Sequence, residues 1–309
     1  MTAPVDGVVN VLKPPGMTSH DVVDWIRRLV GLKRVGHTGT LDPGAAGVLI
    51  LLLGRATRAA QFIADDKEYR AEAIFGIETD TQDAWGRVTA CRDASGLRPE
   101  DVAAVLPSFS GRISQVPPPV SAVHYRGERL YKLARAGAIV AAPPRTVEIY
   151  SLRLLDGKWG QKHPRALLHV ACSKGTYIRT LVAEIGRVLG CGATLSFLLR
   201  TRVGSFAVGT AYALEELAAL KAAGRFEEAV IPVSEALSHL PAVAVKPSAV
   251  KAVRCGGRLY PAGTVGFSGA LEPGMLVRLV AGQDLLAVAR LELTANEEIT
   301  FKPVWVYTS

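Results

Sequence analysis

Cysteine is scarce in this 309-residue chain, and none of it is arranged to bind a metal. The four cysteines, Cys91, Cys172, Cys191 and Cys255, form no C-x-x-C pair and have no histidine cluster beside them. Structural zinc sites use such clusters, so we expect no bound metal. Isolated cysteines in a chain of this length are typical of buried or free thiols in a reducing cytosol.

Signals for export and membrane insertion are missing as well. The N-terminal MTAPVDGVVNVLKPPG lacks the charged start and the apolar centre of a signal peptide. The apolar run AAGVLILLLG at 45–54 is too short to cross a bilayer and is typical of a buried segment. We therefore expect a soluble, cytoplasmic protein without membrane contact.

Several catalytic signatures are absent from the sequence. There is no G-x-x-x-x-G-K-[ST], no G-x-G-x-x-G and no nucleophile elbow. Glu78, Asp80 and Asp83 do not follow the spacing of a calcium loop and offer too few oxygens for a hard cation. Nucleotide hydrolysis, redox chemistry and serine hydrolysis thus lack their signals, and we expect no cofactor.

The chain does contain ample apolar residues and an excess of positive charge. Hydrophobic residues make up 49% of it, enough for a large core, so disorder is not expected. Its 36 Lys and Arg against 28 Asp and Glu give a net charge of +8. That excess suits a polyanion such as RNA, although many basic proteins bind no such partner.

Hydrophobic periodicity predicts both strands and helices along the chain. We expect an α+β fold with a mixed, largely antiparallel sheet flanked by helices. Ser19 is the expected N-cap of the first helix. Strands are predicted over 8–12, 67–81 and 166–172, and helices over 20–29, 55–66, 98–106 and 177–189. From Pro241 onwards, short β-type runs separated by glycine predict a small β-rich module.

The segment at about 112–145 differs in composition from its surroundings. It is rich in proline at both ends and basic in the middle, which predicts a basic helix outside the main sheet. This helix either is an ordinary solvated surface or belongs to an arm that contacts a phosphate backbone. The basic residues are Arg126, Arg129, Lys132 and Arg135, with Tyr125 and Tyr131 between them.

Asp42 is the single acidic residue in GHTGTLDPGAAGVLILLLGRATR, at 36–58. Asp before Pro between glycines is a good turn, so a purely structural role is open. The turn also leads directly into the buried apolar run, which would place the carboxylate at the floor of a cleft that a ligand can approach closely. Asp42 is therefore a turn residue or a nucleophile.

Three other residues have an ordinary and a functional interpretation. Arg179, early on the helix in CSKGTYIRTL, is either a surface or capping residue or a partner that keeps Asp42 ionised. Tyr69, on the alternating strand, is a core or edge aromatic unless a ligand stacks on it. His37 alone is more typical of a loop histidine than of a catalytic one.

Six blocks in order carry a resemblance to a known family. They are NVLKPPGMTSHDVV, KRVGHTGTLDPGAAGVLILLLGRATR, KEYRAEAIFGIETDTQDAWG, VPPPVSAVHYRGERLYKLARAG, CSKGTYIRTLVAEIG and LLRTRVGSF. Over residues 7–210 the chain closely resembles the bacterial TruB-type tRNA pseudouridine synthases. The resemblance implies the pseudouridine synthase fold and conversion of uridine 55 in the TΨC loop of tRNA to pseudouridine, by base flipping, without cofactor or metal.

The resemblance also assigns roles to individual residues. Asp42 matches the essential aspartate, Arg179 its partner, and Tyr69 the tyrosine stacked on the flipped uracil. His37 matches a histidine that fills the gap left in the RNA loop. We expect Asp42 and Arg179 to meet in a pocket shielded from solvent. The expected substrate-binding residues are His37, Tyr177, Leu198, Arg58, Arg126, Arg129 and Lys132.

The expected organisation is a catalytic domain over 1–240, with the basic segment at about 112–145 as its thumb insertion, and a PUA-like RNA-binding domain over 241–309. The T stem-loop of tRNA is the expected partner, and the protein should act as a monomer without a protein partner. Two alternatives stay open: a non-catalytic RNA-folding factor, and a synthase subunit that depends on a guide RNA.

Overall fold

The computed structural model describes residues 5–118, 124–125, 128–129, 143–267, 271–294 and 296–307. The strands of the first part are β1 Gly7–Lys13, β2 Val35–His37, β3 Ala46–Leu53, β4 Lys67–Phe75, β5 Ile77–Thr79, β6 Val88–Cys91, β7 Gly111–Gln115, β8 His124–Tyr125, β9 Glu128–Arg129, β10 Arg145–Lys158, β11 Arg165–Cys172, β12 Ala193–Val203 and β13 Phe206–Ala207. Those after them are β14 Ala242–Val245, β15 Thr264–Phe267, β16 Leu276–Ala281, β17 Asp284–Leu293 and β18 Ile299–Val306.

The α-helices are α1 Ser19–Val30, α2 Pro99–Val105, α3 Ile178–Val188, α4 Leu214–Ala222, α5 Val233–Ala236 and α6 Pro247–Arg254. Short 3-10 helices lie between them, at Gly54–Phe62, Leu106–Phe109, Val208–Thr210, Phe226–Ala229 and Pro261–Gly263. None of the helices in the described ranges is long and apolar enough to cross a membrane.

Within the described residues, nine strands form the main sheet, in the order β1-β3-β12-β4-β11-β10-β7, with β2 beside β3 and β13 beside β12. Its pairings are antiparallel except where β12 runs parallel to β3, through Leu199 opposite Ala46 and Arg200 opposite Gly47. A Cβ at Gly47 would lie 2.2 Å from the carbonyl oxygen of Arg200, so this close approach requires glycine. The junction joins the strand after Asp42 to β12.

Strand β4 at the centre of the sheet shows the expected alternation, since every second residue from Lys67 to Phe75 is buried. Its inward side chains from Tyr69 to Phe75, together with Leu181, Val182 and Ile185 of α3, belong to one apolar core. This packing fixes α3 against the sheet. The start of α3, which carries Arg179, is therefore held in place by the core.

A second sheet, β15-β14-β16-β17-β18, follows residue 241. It has its own core, and it also contributes Val288 and Trp305 to a core that contains Val8 and Phe62. The rings of Phe62 and Trp305 stack with centroids 5.7 Å apart. The two sheets therefore share apolar packing.

The expected α+β class, with a mixed and largely antiparallel sheet, is confirmed. Some local predictions were wrong. Thr18, not Ser19, caps α1, because its hydroxyl accepts the amide of Asp21 at 3.0 Å. Residues 55–66 do not form an α-helix but lie largely in the 3-10 helix Gly54–Phe62, and the strand expected over 67–81 is interrupted at Gly76, whose φ is +81°.

In the basic segment, the structure describes an antiparallel pairing of His124 with Arg129 and Tyr125 with Glu128. The helix predicted there is wrong at these four positions, where the backbone is extended. Arg126, Lys132 and Arg135 lie outside the described residues, and so does the side chain of Arg129.

Candidate active site

Asp42 lies in the turn between β2 and β3, and the start of α1 holds this turn. The Ser19 hydroxyl accepts a hydrogen bond from the Leu41 amide at 2.8 Å and donates one to the Leu41 carbonyl oxygen at 3.3 Å. The Ala45 amide donates to the Asp42 carbonyl at 3.0 Å, which closes the turn. Because Ser19 is 2% exposed, its hydrogen bonds to Leu41, the residue before Asp42, are shielded from water.

Arg179 at the start of α3 pairs with Asp42 as a two-pronged fork. Its Nε lies 2.9 Å from Oδ2 of Asp42, and its Nη2 donates to Oδ1 at 3.3 Å. A third nitrogen, Nη1, donates to the Thr81 carbonyl at 3.0 Å and lies 3.6 Å from Oδ2 of Asp83. Planar two-point pairing of this kind sets the direction of a carboxylate.

The sequence-based expectation that Asp42 is shielded from solvent was wrong for the protein alone. The Asp42 side chain is 43% exposed, whereas that of Arg179 is 5% exposed. A buried guanidinium thus presents an accessible carboxylate at the mouth of a cavity. Exclusion of water from this carboxylate requires a ligand over it.

That cavity, of about 530 Å³, is lined by four of the predicted site residues besides Asp42: Tyr69, Tyr177, Arg179 and Leu198. They come from four separate elements, the β4 and β12 strands, helix α3 and the turn that precedes it. Gln115 positions Tyr177, because its amide oxygen accepts the Tyr177 amide at 3.0 Å and its Nε2 donates to the Tyr177 carbonyl at 3.2 Å. The fold therefore gathers residues that are far apart in the sequence.

Tyr69 is 6% exposed and is hydrogen bonded to a buried arginine that the sequence analysis missed, Arg200. Burial raises the pKa of the Tyr69 hydroxyl to about 12, so the phenol is protonated at neutral pH. Arg200, 1% exposed, also donates to the carbonyls of Val48 at 2.7 Å and Gly39 at 3.1 Å. Arg200 thus links the tyrosine to the loop before Asp42.

Lys13 is a second buried cation that the sequence analysis missed. It is 0% exposed, and its Nζ donates to the carbonyls of Pro14 at 2.8 Å, Met17 at 2.5 Å and Pro43 at 3.3 Å. Burial, with a further effect of the Arg200 charge, lowers its pKa to about 8. The signal available in the sequence was its position between an apolar strand and a Pro-Pro-Gly turn.

Among the predicted site residues whose side chains the structure describes, two do not line the cavity at Asp42. His37 ends β2, half-buried, and burial lowers the pKa of its imidazole, which favours the neutral form. Arg58 is exposed on the 3-10 helix Gly54–Phe62. Any contact of these two residues with a substrate would therefore involve parts of it outside the cavity.

The described residues include no group of three or more His, Cys, Asp or Glu side chains that could hold a metal ion. The chemistry available at the cavity is that of an accessible carboxylate, a guanidinium that orients it, a protonated phenol and an apolar wall. Such a set can bind a flat ring and bring an anionic oxygen to it.

Solved structures define the class of protein to which this sheet and site belong. The chain aligns over 98% of its length with 85% of a chain in "Structure of H/ACA RNP bound to a substrate RNA containing 2'-deoxyuridine", with a TM-score of 0.76 and 30% identity. It covers 86% of a chain in "Crystal structure of the archaeal box H/ACA sRNP Nop10-Cbf5 complex", with a TM-score of 0.74 and 30% identity. The fold is thus the TruB/Cbf5 type of pseudouridine synthase fold.

Residues 27–178 match the TruB family pseudouridylate synthase N-terminal domain, 179–238 the tRNA pseudouridylate synthase B C-terminal domain, and 241–301 the PUA domain. Proteins named tRNA pseudouridine synthase B are similar throughout. One from Pelotomaculum thermopropionicum is 51% identical over 98% of this chain and 97% of its own, and one from Moorella thermoacetica is 47% identical over 97% and 98%. The chain belongs to the TruB family of pseudouridine synthases, and it is an isomerase.

Proposed function

We propose that this protein converts the uridine at position 55 in the TΨC loop of tRNA to pseudouridine, with Asp42 as the catalytic residue. The observation that carries the proposal is the accessible Asp42 carboxylate, forked by buried Arg179, at a cavity that Tyr69 also lines. Support for tRNA as substrate comes from relatives named tRNA pseudouridine synthase B.

A base inside a folded RNA loop has to leave the stack before Asp42 can reach it, at a cost of roughly a few kcal/mol. Stacking against Tyr69 would return about 1–3 kcal/mol. His37, neutral at the end of β2, would fill the gap that the base leaves. The bound base then covers Asp42 and removes the water that reaches it in the free protein.

The reaction breaks the bond between ribose and N1 of uracil, turns the ring and joins the ribose to C5. The Asp42 carboxylate attacks the base or the ribose, or takes a proton from the sugar, and in each case Arg179 orients it before the step. A proton must finally leave C5, and N1 gains one, so that the product is an isomer of the substrate. Tyr69 could pass that proton on only by exchanging its own, because its phenol is protonated.

The remaining proposals concern the rest of the chain. Residues 1–240 would hold the catalytic machinery, with the thumb insertion at about 112–145, and residues 241–309 would contact RNA as a PUA-like domain. Arg58, Arg126, Arg129 and Lys132 would bind the RNA backbone, and Tyr177 and Leu198 would form walls for the base. The protein would act in the cytoplasm as a monomer.

The decisive experiment replaces Asp42 with asparagine. The variant keeps the shape of the side chain but loses the anionic oxygen, so we expect no detectable pseudouridine while the Kd for tRNA stays within about threefold. Product is mapped by mass spectrometry of a tRNA transcript incubated with pure protein. Near-normal turnover by Asp42→Asn would exclude the proposed catalytic role.

The same assay separates the alternatives. A subunit that depends on a guide RNA would leave a bare transcript unmodified, whereas the proposed enzyme modifies it with no added RNA or protein. If the protein is a non-catalytic RNA-folding factor, the Asp42→Asn variant should promote tRNA folding as well as the unaltered protein does. Neither protein should then form pseudouridine. The two activities are scored on the same RNA.

A further inference from the structure

Trp85, in the turn between β5 and β6, exposes 75% of its surface to solvent. Burial of apolar surface is favourable, so an exposed indole gains free energy when a ligand covers it. The resemblance and the proposed function assign nothing to this residue. Its surroundings show what it is placed to bind.

The turn that carries Trp85 is firmly held. The Asp83 carboxylate accepts the Trp85 amide at 3.1 Å and the Thr81 hydroxyl at 2.6 Å. The Ala84 amide donates to the Leu195 carbonyl of β12 at 2.8 Å. A ring presented on such a turn loses little conformational freedom when a ligand stacks on it.

The same turn is joined to the candidate active site. Arg179, which orients Asp42, also lies 3.6 Å from the Asp83 carboxylate through its Nη1. On the other side, the Trp85 ring lies directly over Gly44, where an added Cβ would be 2.0 Å from the indole Nε1. The indole ring thus packs against the turn that contains Asp42.

Trp85 lines a second cavity, of about 280 Å³, that adjoins the Asp42–Arg179 pair. Phe197, 45% exposed, and Leu195 belong to its walls. Asp42, Arg179 and Leu198 line this cavity and the larger one alike. A ligand that extends from one cavity into the other must therefore pass the ion pair.

We propose that Trp85 is a stacking platform for the base of a nucleotide that directly adjoins the target uridine. The inference rests on the proposed function, since it places the target base in the larger cavity. The nucleotide beside it in the strand then reaches the smaller cavity, where an aromatic face accepts any base. Trp85 touches no reacting atom; it positions the substrate.

The test compares Trp85→Ala with Trp85→Phe on a T stem-loop RNA. Val88→Ala is the matched control, because Val88 follows in the same hairpin, is 62% exposed and does not line the cavity. Loss of one base stack predicts about a tenfold rise in KM for Trp85→Ala, with kcat within about twofold. Trp85→Phe should recover most of the loss, and Val88→Ala should match the unaltered protein.

RNAs that are abasic at the nucleotide 5′ or 3′ of the target identify the partner. With one of these two RNAs, Trp85→Ala and the unaltered protein should have equal KM values, since no base is left to stack. The inference is overturned if Trp85→Ala leaves KM unchanged, if Trp85→Phe is as impaired as Trp85→Ala, or if the defect persists on both abasic RNAs. Failure of the proposed function looks different: the unaltered protein would then form no pseudouridine at all.

Discussion

At the scale of single residues, two buried arginines divide the work at the cavity. Arg179 is aimed at the Asp42 carboxylate, and Arg200 is aimed at Tyr69 and at backbone carbonyls of the loop before Asp42. A guanidinium suits both positions, because it offers several donors in one plane and stays charged when buried. Arg179 orients the Asp42 carboxylate. Arg200 holds Tyr69, the side chain against which the base would stack.

Replacing Arg179 with lysine tests the fork. Lysine keeps the positive charge but not the two parallel donors, so the Asp42 carboxylate would lose its fixed direction. We expect kcat for pseudouridine formation to fall about 10²- to 10³-fold, with the Kd for RNA nearly unchanged. Single-turnover rates at saturating protein measure this, and a variant that keeps more than half of the rate would contradict the role given to the fork.

The lowered pKa of Lys13 predicts that the unfolding free energy of the protein depends on pH. Its pKa of about 8 lies below the value of roughly 10.4 for a lysine in an unfolded chain. Between these values the unfolded chain binds more protons at this position than the folded one, so the unfolding free energy rises with pH there. Below pH 8 the cost of burying the charge is present in full.

Urea unfolding of the unaltered protein and of Lys13→Met, from pH 7.5 to 10, isolates this effect. The difference in unfolding free energy should move in favour of the unaltered protein by about 2 kcal/mol across the range. The hydrogen bonds lost in Lys13→Met add an offset that does not depend on pH. A constant difference would mean that Lys13 titrates at its ordinary pKa.

At the scale of elements, the start of helix α1 serves two purposes through adjacent residues. Thr18 caps the helix, and Ser19 holds the Leu41 amide next to Asp42. Capping of α1 and placement of the Asp42 turn therefore depend on different residues. The sequence-based prediction gave the cap to Ser19 and did not separate the two roles. The paired variants Thr18→Ala and Ser19→Ala distinguish them.

Thr18→Ala should lower the unfolding free energy by about 1 kcal/mol and leave kcat unchanged, because a cap contributes to the helix alone. Ser19→Ala should cost about 1–3 kcal/mol, since a buried amide loses its acceptor, and should also lower kcat about tenfold. Thermal unfolding and turnover are measured on both. Equal effects of the two variants on kcat would contradict this separation.

The elements show what the pattern of residues could and could not predict. The sequence predicted β4 from its alternation and α3 from its helical spacing, because each element buries one face. Both ends of α3 lie within one residue of the predicted bounds. The segment at 55–66 has a helical pattern in the sequence, but it follows Gly54, with φ of +59°, and winds as a 3-10 helix. Backbone geometry of this kind depends on tertiary packing.

The candidate site was less accessible to residue-level reasoning. Asp42 and Arg179 are 137 positions apart. Reasoning from the residues left their pairing open, and the family resemblance favoured it. Lys13 and Arg200 were missed because a cation within an apolar stretch is more typical of a surface position. Their burial follows from carbonyl groups that the folded chain brings to them, and no local pattern records those.

At the scale of the whole molecule, the net charge of +8 and the basic segment predict binding that depends on salt. Each phosphate contact releases counterions, so log Kd should vary linearly with the logarithm of salt concentration. Replacing Arg126, Arg129, Lys132 and Arg135 with glutamine should make the slope shallower by about 3. The control exchanges arginine and lysine at the same four positions and should keep the slope; an unchanged slope in the neutral variant would place the phosphate contacts elsewhere.

The core shared by Val8, Phe62 and Trp305 has a consequence for how the chain is made. Val8 leaves the ribosome well before Trp305, which emerges only after β17 has been synthesised. Until then, the core around Val8 and Phe62 lacks the part that Val288 and Trp305 supply. The growing chain must therefore carry an unfinished apolar surface through most of its translation, which is when chaperones and misassembly compete for it.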